Sequence, residues 1–226
     1  MVAKGSRQYS LQLMRLEEML SGHPEYCTNS FGSQLVGSFF SRFSELESYC
    51  NLKKRGLIPE IDPLIMPGNK NSTKADFKIR VNCEEIFIKV VTPRAPLEDE
   101  LDDQNSAKAG FGESTPDRIY KSLFTEYKHH FKLFEPQFSS PTIIILDKTY
   151  ANDLSDLFGV VNLGHGLYQK YQFPAYFVGV LDLTRYQIDL LLENSNQQKP
   201  SRFYINPRFK DKTSLIPALT QLFSSI

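Results

Sequence analysis

The amino-acid sequence predicts an α/β protein, a mixed central β-sheet flanked by helices. Three observations carry that prediction. Apolar residues recur at helical spacing near the N-terminus and again after residue 114, so helices bracket the strands. Residues 75–81 alternate apolar and polar, and residues 85–92 form a second strand apolar enough to be central. A strand, helix, strand progression through residues 85 to 147 then requires at least one parallel crossover of the usual right hand.

The elements follow in order. Tyr9, Leu13, Leu16 and Leu20 recur at helical spacing, and Gly22-His23-Pro24 ends that helix. A second helix is expected after Asn29-Ser30, with Phe31, Leu35, Phe39, Phe43, Leu46 and Cys50 on one stripe. It closes near Lys53-Lys54-Arg55-Gly56, where cations suit a helix C-terminus and glycine suits its cap. Leu57 to Met66 has prolines within and beside it and reads as an irregular or edge strand, followed by a polar turn over Gly68 to Thr73. From Ala75 to Val81, Phe77, Ile79 and Val81 point one way, while Asp76, Lys78 and Arg80 point the other. Asn82-Cys83-Glu84 is the turn of a hairpin whose second arm, Glu85 to Thr92, stops at Pro93.

Residues 95–117 change character. Leu97 to Asp103 is acidic and Ser106 to Ser114 is rich in small residues and glycine, which predicts a mobile loop, with a lid over a site as the alternative. Ser114-Thr115-Pro116-Asp117 starts the next helix, striped by Ile119, Leu123, Tyr127, Phe131 and Phe134. Pro141 to Asp147 is a short buried strand, and Asp153 caps a helix through Leu154, Leu157, Phe158 and Val161. Phe177–Leu183 and Tyr186–Leu192 make a second hairpin around Thr184-Arg185. Phe203 to Ile205 is a last edge strand, and Ser214 to Phe223 a final helix. One domain is expected over residues 1–226, with N-terminal helices over 1–56 and no internal repeat.

Composition narrows the function. Hydrophobic residues make up 41% and charged residues 23% of 226, which excludes a wholly disordered chain, a collagen-like repeat and a disulfide-built miniprotein. Lys+Arg equals Asp+Glu at 26 each, so any binding to nucleic acid must come from a local basic surface. Apolar runs such as Pro174 to Leu181 fall far short of the ~18 residues that span a bilayer. Met1 to Gly5 does not lead into an apolar leader core, so no membrane partner and an intracellular, cytoplasmic setting are expected. Cys27, Cys50 and Cys83 form no CxxC pair and read as buried or half-buried free thiols. The four histidines form no HxxxH or HExxH pattern, and no Walker loop, GxGxxG or GxSxG is present. Gly164-His165-Gly166 reads as a helix exit.

The region that can carry chemistry is the first hairpin, with Asp76-Phe77 opening it and Phe87-Ile88-Lys89-Val90-Val91-Thr92 closing it. Here the sequence resembles the PD-(D/E)xK nuclease superfamily, of restriction-endonuclease-like fold. That pattern has a helix bearing a Glu, an Asp at the start of one strand, a (Glu/Gln)-x-Lys on the next, and a helix with substrate-facing basic residues. The resemblance covers roughly residues 31 to 147 and implies a restriction-endonuclease-like core. It implies Asp76 as a metal-binding residue and Lys89 as a catalytic lysine, with Mg²⁺ as cofactor if the protein is active. Phe87 stands where the second metal-binding carboxylate is expected. Glu85 shares its strand face one pleat away, about 6.6 Å along the strand. Glu45 and Glu47 lie in the part of the helix where the family carries a Glu. Glu45, Glu47 and Glu85 are therefore the candidates for a migrated carboxylate, and Lys121 and Lys128 on the later helix for phosphate contacts.

The chemistry explains the residue types. Phosphodiester hydrolysis needs a divalent ion to withdraw charge from the phosphate and acidify a water, and hard oxygen ligands hold such an ion. A nearby lysine stabilises the developing charge. Two functions follow as expectations. Either the protein is a catalytically impaired, nuclease-like module that binds DNA or RNA or assembles with a protein partner or itself, or it is an active Mg²⁺-dependent endonuclease with a migrated carboxylate. Plainer readings exist for every residue. An Asp at a strand end forms turns through its own side chain, and a Lys on a strand guards an edge. Lys121 and Lys128 can be a solvated helix face, and Arg202, Arg208, Lys210 and Lys212, interleaved with Phe203, Tyr204 and Phe209, can be a packed strand edge.

Overall fold

The computed structural model describes residues 13–27, 31–32, 35, 38–70, 72–92, 115–131, 138–147, 163–182, 202–211 and 214–224. Residues 13–22 are helical (α1), and a single 3-10 turn follows at Pro24–Tyr26. The helix Phe39–Lys54 (α2) ends at Gly56, whose φ of 75° gives the left-handed residue that glycine supplies at a helix C-terminus. The strands are Glu60–Ile61 (β1), Phe77–Val81 (β2) and Glu84–Val91 (β3), followed by the helix Thr115–His130 (α3). Thr142–Leu146 (β4), Leu163–Lys170 (α4), Phe177–Asp182 (β5), Arg202–Ile205 (β6) and Leu215–Ser224 (α5) complete the order.

The strands form one six-stranded sheet in the order β1-β2-β3-β4-β5-β6. β1, β2 and β3 pair antiparallel, β3, β4 and β5 parallel, and β5 and β6 antiparallel. This is the mixed α/β sheet expected, with its parallel step between β3 and β4 through α3. The faces are covered separately. Leu16, Tyr26, Phe43, Leu46 and Leu219 pack over Phe77, Ile79, Ile88 and Ile143 on one side. Leu123, Tyr127, Phe131 and Leu167 pack over Phe87, Val91, Ile144 and Val180 on the other. Among the described residues, no helix is long and apolar enough to cross a membrane.

Several expectations need correction. The second helix is not continuous, because Ser38 leaves helical geometry (φ −149°, ψ 49°) and its carbonyl accepts the Arg42 N–H at 3.0 Å to start α2. Serine is a favoured helix-start residue, and Gly37 before it in sequence disfavours a continuous helix. The hairpin turn is the two residues Asn82 (φ 49°) and Cys83 (φ 65°), with Glu84 already in the strand. That turn exposes Cys83. Cys27 is exposed too, so only Cys50 is buried as expected. Gly164-His165-Gly166 lies inside α4 rather than at its exit, where the fully buried Leu167 anchors a helix the glycines weaken. Residues 115–117 belong to α3, and the rest of the expected 95–117 loop lies outside the described residues. So do the helix expected after Asp153 and the Tyr186–Leu192 arm. Among the described residues, β5 pairs antiparallel with β6, in register from Gly179↔Ile205 to Asp182↔Arg202.

Candidate functional site at the ends of strands β2, β3 and β4

α2 is unusual in being buried nearly all round. Ser44, Glu45, Glu47 and Ser48 are buried along with Phe43 and Leu46. Its polar side therefore faces protein rather than water, toward one end of the sheet. Buried carboxylates persist only when paired or protonated, and both solutions are used here.

Asp76 is the first of these groups. Extending the β2–β3 register by one residue from Phe77↔Ile88 sets it opposite Lys89. The ladder ends at this point, and the Asp76 side chain finishes it. One carboxylate oxygen, Oδ1, accepts from Lys89 Nζ at 2.6 Å, and Oδ2 accepts from the Val90 N–H at 2.6 Å. The backbone around it is anchored by Asp76 N–H to Ile88 O at 3.0 Å and by Asp62 N–H to Asp76 O at 3.1 Å. The two side chains are only 16% (Lys89) and 7% (Asp76) exposed, so this is a largely desolvated ion pair. Burial works against the Lys89 ammonium. The charge and hydrogen bond of Asp76, with the charges of Glu45 and Glu126, outweigh it and hold the lysine above its usual pKa.

Glu45 approaches the same pair from α2. Burial, and then the charge of Asp76, push its carboxyl up to about 7 against the pull of Arg42 and Lys89. Arg42, three residues earlier on the helix, bonds it at 2.5 Å. Glu126 of α3 lies within electrostatic reach of Lys89 on the other side, held below the usual carboxylate range mainly by its hydrogen bond with His130, 3.3 Å away. Lys89 thus sits among Asp76, Glu45 and Glu126.

Glu47 belongs to a separate group. It pairs with Arg15 of α1 at 2.6 Å, and burial pushes it up to about 7, with Arg15 opposing and Asp147 adding to the shift. Asp147 follows β4, takes a backbone bond from its N–H to Val91 O at 3.0 Å, and accepts the Ser44 hydroxyl at 2.7 Å. Glu85 lies away from the ion pair. It is half exposed, opposite Arg80, and bonded to Arg80 at 3.1 Å and near Lys78 at 3.8 Å. Four residues separate it from Lys89, about 13 Å along the strand.

Phe87 is fully committed to packing. Its ring meets Phe138 edge-on at 5.3 Å in the core under α3, and Lys78 pairs with it across the ladder. The residue facing Asp76 is Lys89, and the next position on that strand face is the buried Val91. Lys121 and Lys128 are exposed on α3, on its flank away from Glu126, with Lys128 over the Phe124 ring. Of the second basic cluster, Phe203 and Phe209 pack against one core and Tyr204 against the other, as a packed edge requires. Lys212 is outside the described residues. Sequence reasoning passed over Arg42, Glu126 and Asp147. The i,i+3 spacing of Arg42 and Glu45, and the i,i+4 spacing of Glu126 and His130, were visible signals for two of them. Nothing local marks Asp147.

These residues do not fit a magnesium ion as they are arranged. Both Asp76 oxygens already hold donors, and one of those is itself a cation. Glu45 is engaged by Arg42 and biased toward its protonated form. Among the described residues, no group of three or more His, Cys, Asp or Glu side chains could hold a metal ion. Oxygen-ligand sites for such an ion need carboxylates free to point at it.

No protein-family model matches the chain, and no curated protein sequence matches it. Among solved structures it is similar to a chain of the CdiA-CT/CdiI toxin and immunity complex from Burkholderia pseudomallei. The identity is 12%, the TM-score 0.34, and the likeness covers 65% of this chain and 80% of that one. A likeness at that TM-score carries no weight for fold or function.

Proposed function

We propose that this chain is a nuclease-like protein whose hydrolytic centre has become a closed ion pair, and that it works by binding nucleic acid rather than by cutting it. One observation carries the reading. The Lys89 ammonium lies 2.6 Å from Asp76 Oδ1, in the position where a metal-binding site would need a divalent ion or a second carboxylate. A fixed ammonium supplies one positive charge to Asp76 and offers no site for a water to be acidified. Phe87, committed to the apolar core, leaves no carboxylate on the neighbouring position of the same strand face.

A second reading, the Mg²⁺-dependent endonuclease, is favoured by the approach of Glu45 to Asp76 and Lys89, since carboxylates from a helix and a strand would then share one locus. Calorimetry with Mg²⁺ and Mn²⁺ on wild type and Asp76→Ala, with cleavage of DNA and RNA scored in the same samples, separates the two. No Asp76-dependent heat and no cleavage is the expected result. Metal binding and cleavage both lost in Asp76→Ala would replace the binding module with the nuclease, and Glu45→Gln would then abolish both as well.

A further inference from the structure

We propose that the outward face of α1, with the groove between it and Cys27, docks a basic amphipathic helix of a partner protein. The proposal goes beyond the nucleic-acid reading and does not depend on it.

The geometry begins with helix phase. Successive residues turn about 100°, so from Leu13 the positions of Glu17, Ser21, Met14 and Glu18 follow at about 40°, 80°, 100° and 140° around α1. All five are exposed. Leu16, Met19 and Arg15 lie on the other side, toward the protein. Leu16 is buried in the core with Met19 packed against it, and Arg15 holds Glu47 at 2.6 Å. One side of α1 is thus fixed to the fold, and the outward side is in place before anything binds.

Apolar surface is concentrated on that outward side. Leu13 and Met14 are 54% and 58% exposed. Beside them Leu13, Leu16, Glu17, Leu20, Ser21 and Cys27 line an open groove of about 380 Å³. Its far wall is Cys27, whose Sγ lies 3.9 Å from the Leu20 carbonyl oxygen and whose neighbour Tyr26 is buried in the core. Scattered exposed apolar residues need no explanation, but a patch continuous with a groove and rimmed by polar groups marks an interaction site. Met14 adds a side chain that adapts its shape to a partner.

Spacing and charge name the occupant. Leu13, Leu16 and Leu20 have the a, d, a order of a heptad seam, and Leu13 to Leu20 spans about two helical turns, about 10.5 Å. A helix with apolar side chains at the same spacing matches that seam. Glu17 takes the e position beside it, and Glu18 follows on the exposed face. Neither glutamate has an ion-pair partner among the described residues. Charges at such flanking positions select a partner of opposite sign, so the incoming helix carries Lys or Arg beside its apolar stripe. Of the neighbouring cations, Arg15 is engaged by Glu47 on the other side of α1, and Lys53 lies 3.5 Å from Glu25. A second copy of α1 would bring the same two acids to the seam, and a nucleic acid would meet them with its phosphates. Like charge disfavours both.

The test uses the full chain and two fluorescein-labelled peptides of about four helical turns, one of leucine and lysine in heptad spacing and one with glutamate in place of lysine. Anisotropy should show the lysine peptide bound with a Kd below about 100 µM, weakening as salt rises, and the glutamate peptide bound at least about tenfold more weakly. Glu17→Lys/Glu18→Lys should reverse that preference. Leu13→Ser/Met14→Ser should weaken the lysine peptide at least about tenfold. Saturating lysine peptide should slow alkylation of Cys27 by iodoacetamide and leave Cys83, exposed in the hairpin turn, unchanged, both read by mass spectrometry in one sample. Melting curves show that each variant folds. Absence of saturable binding, an unchanged preference in the charge-swapped variant, or an unprotected Cys27 would overturn the proposal. So would Cys27 alkylated far more slowly than Cys83 in the dilute chain alone, which means that a segment of this chain already fills the groove. Dimers that sediment in wild type and are lost in Leu13→Ser/Met14→Ser would overturn it in favour of a second copy. None of these results alters the calorimetry at Asp76, so the docking face and the closed ion pair stand or fall separately.

Discussion

Asp76→Ala removes the one acceptor that serves both Lys89 Nζ and the Val90 N–H. The variant leaves an ammonium whose side chain is 16% exposed without its hydrogen-bonded counter-charge, and a buried N–H without an acceptor. An orphaned buried N–H costs about 1–3 kcal/mol, and breaking a buried pair by removing one partner costs about 3–5 kcal/mol in total. Urea unfolding followed by circular dichroism should therefore show a midpoint lowered by about 1–2 M, at an m-value of about 2–3 kcal/mol/M. Lys89→Met should cost a similar amount, because Asp76 is then charged and nearly sealed from water. The double variant Asp76→Ala/Lys89→Met should lose less than the sum of the two, by about 2 kcal/mol or more, because neither charge is left stranded. A loss under about 1 kcal/mol for Asp76→Ala, or strict additivity in the double variant, would mean that the pair is open to solvent and not a closed element.

Two further outcomes follow from other parts of the molecule. Glu45 and Glu47 are raised from 4.5 to about 7 in the folded protein, so the folded state holds more protons than the unfolded state between those values. Their contribution is full below about pH 4.5 and is lost as pH rises through about 7, worth up to about 3 kcal/mol each. Urea midpoints should fall from about pH 5 to about pH 8, with Glu45→Gln and Glu47→Gln each removing about one proton from the slope; midpoints that rise over this range would contradict the burial argument. At Gly179, an added Cβ would collide with the Tyr204 carbonyl oxygen and meet Ile205 Cα at 3.1 Å. Gly179→Ala must push β6 off β5, costing about 1–3 kcal/mol and lowering the melting temperature by several degrees, and a variant as stable as wild type would show that β6 adapts freely.

The hairpin and the sheet were legible because their signals are local. Alternation at Phe77, Ile79 and Val81 fixes which residues of β2 face the core, and the unbroken apolar run Ile143–Leu146 marks a strand covered on both faces. The break at Ser38 was masked in the sequence, since the apolar stripe from Phe31 to Cys50 continues across it and outweighs the local cue of Gly37-Ser38. The burial of Ser44, Glu45 and Ser48 was hidden too. By residue type they read as the solvent side of an amphipathic helix, and only the strand ends and α1 packed against them remove the water.

The same division applies to the site. Residue types and their order along the chain placed an acid and a lysine on adjacent arms of one hairpin, but the three-residue turn expected there would set Asp76 opposite Val90, and only the two-residue turn at Asn82 and Cys83 brings Lys89 opposite it. Which of three glutamates comes near them was not legible, because Glu45, Glu47 and Glu85 differ little in local sequence. Packing separates them. Glu45 is brought beside Asp76 and Lys89, Glu47 is paired with Arg15 and lies within reach of the like charge of Asp147, and Glu85 is left half exposed with Arg80. Charge and spacing are properties of the chain, but desolvation depends on what lies on every side of a group. The degree of burial that turns Asp76 and Lys89 into a closed pair therefore arises only when α2, α3 and the sheet converge.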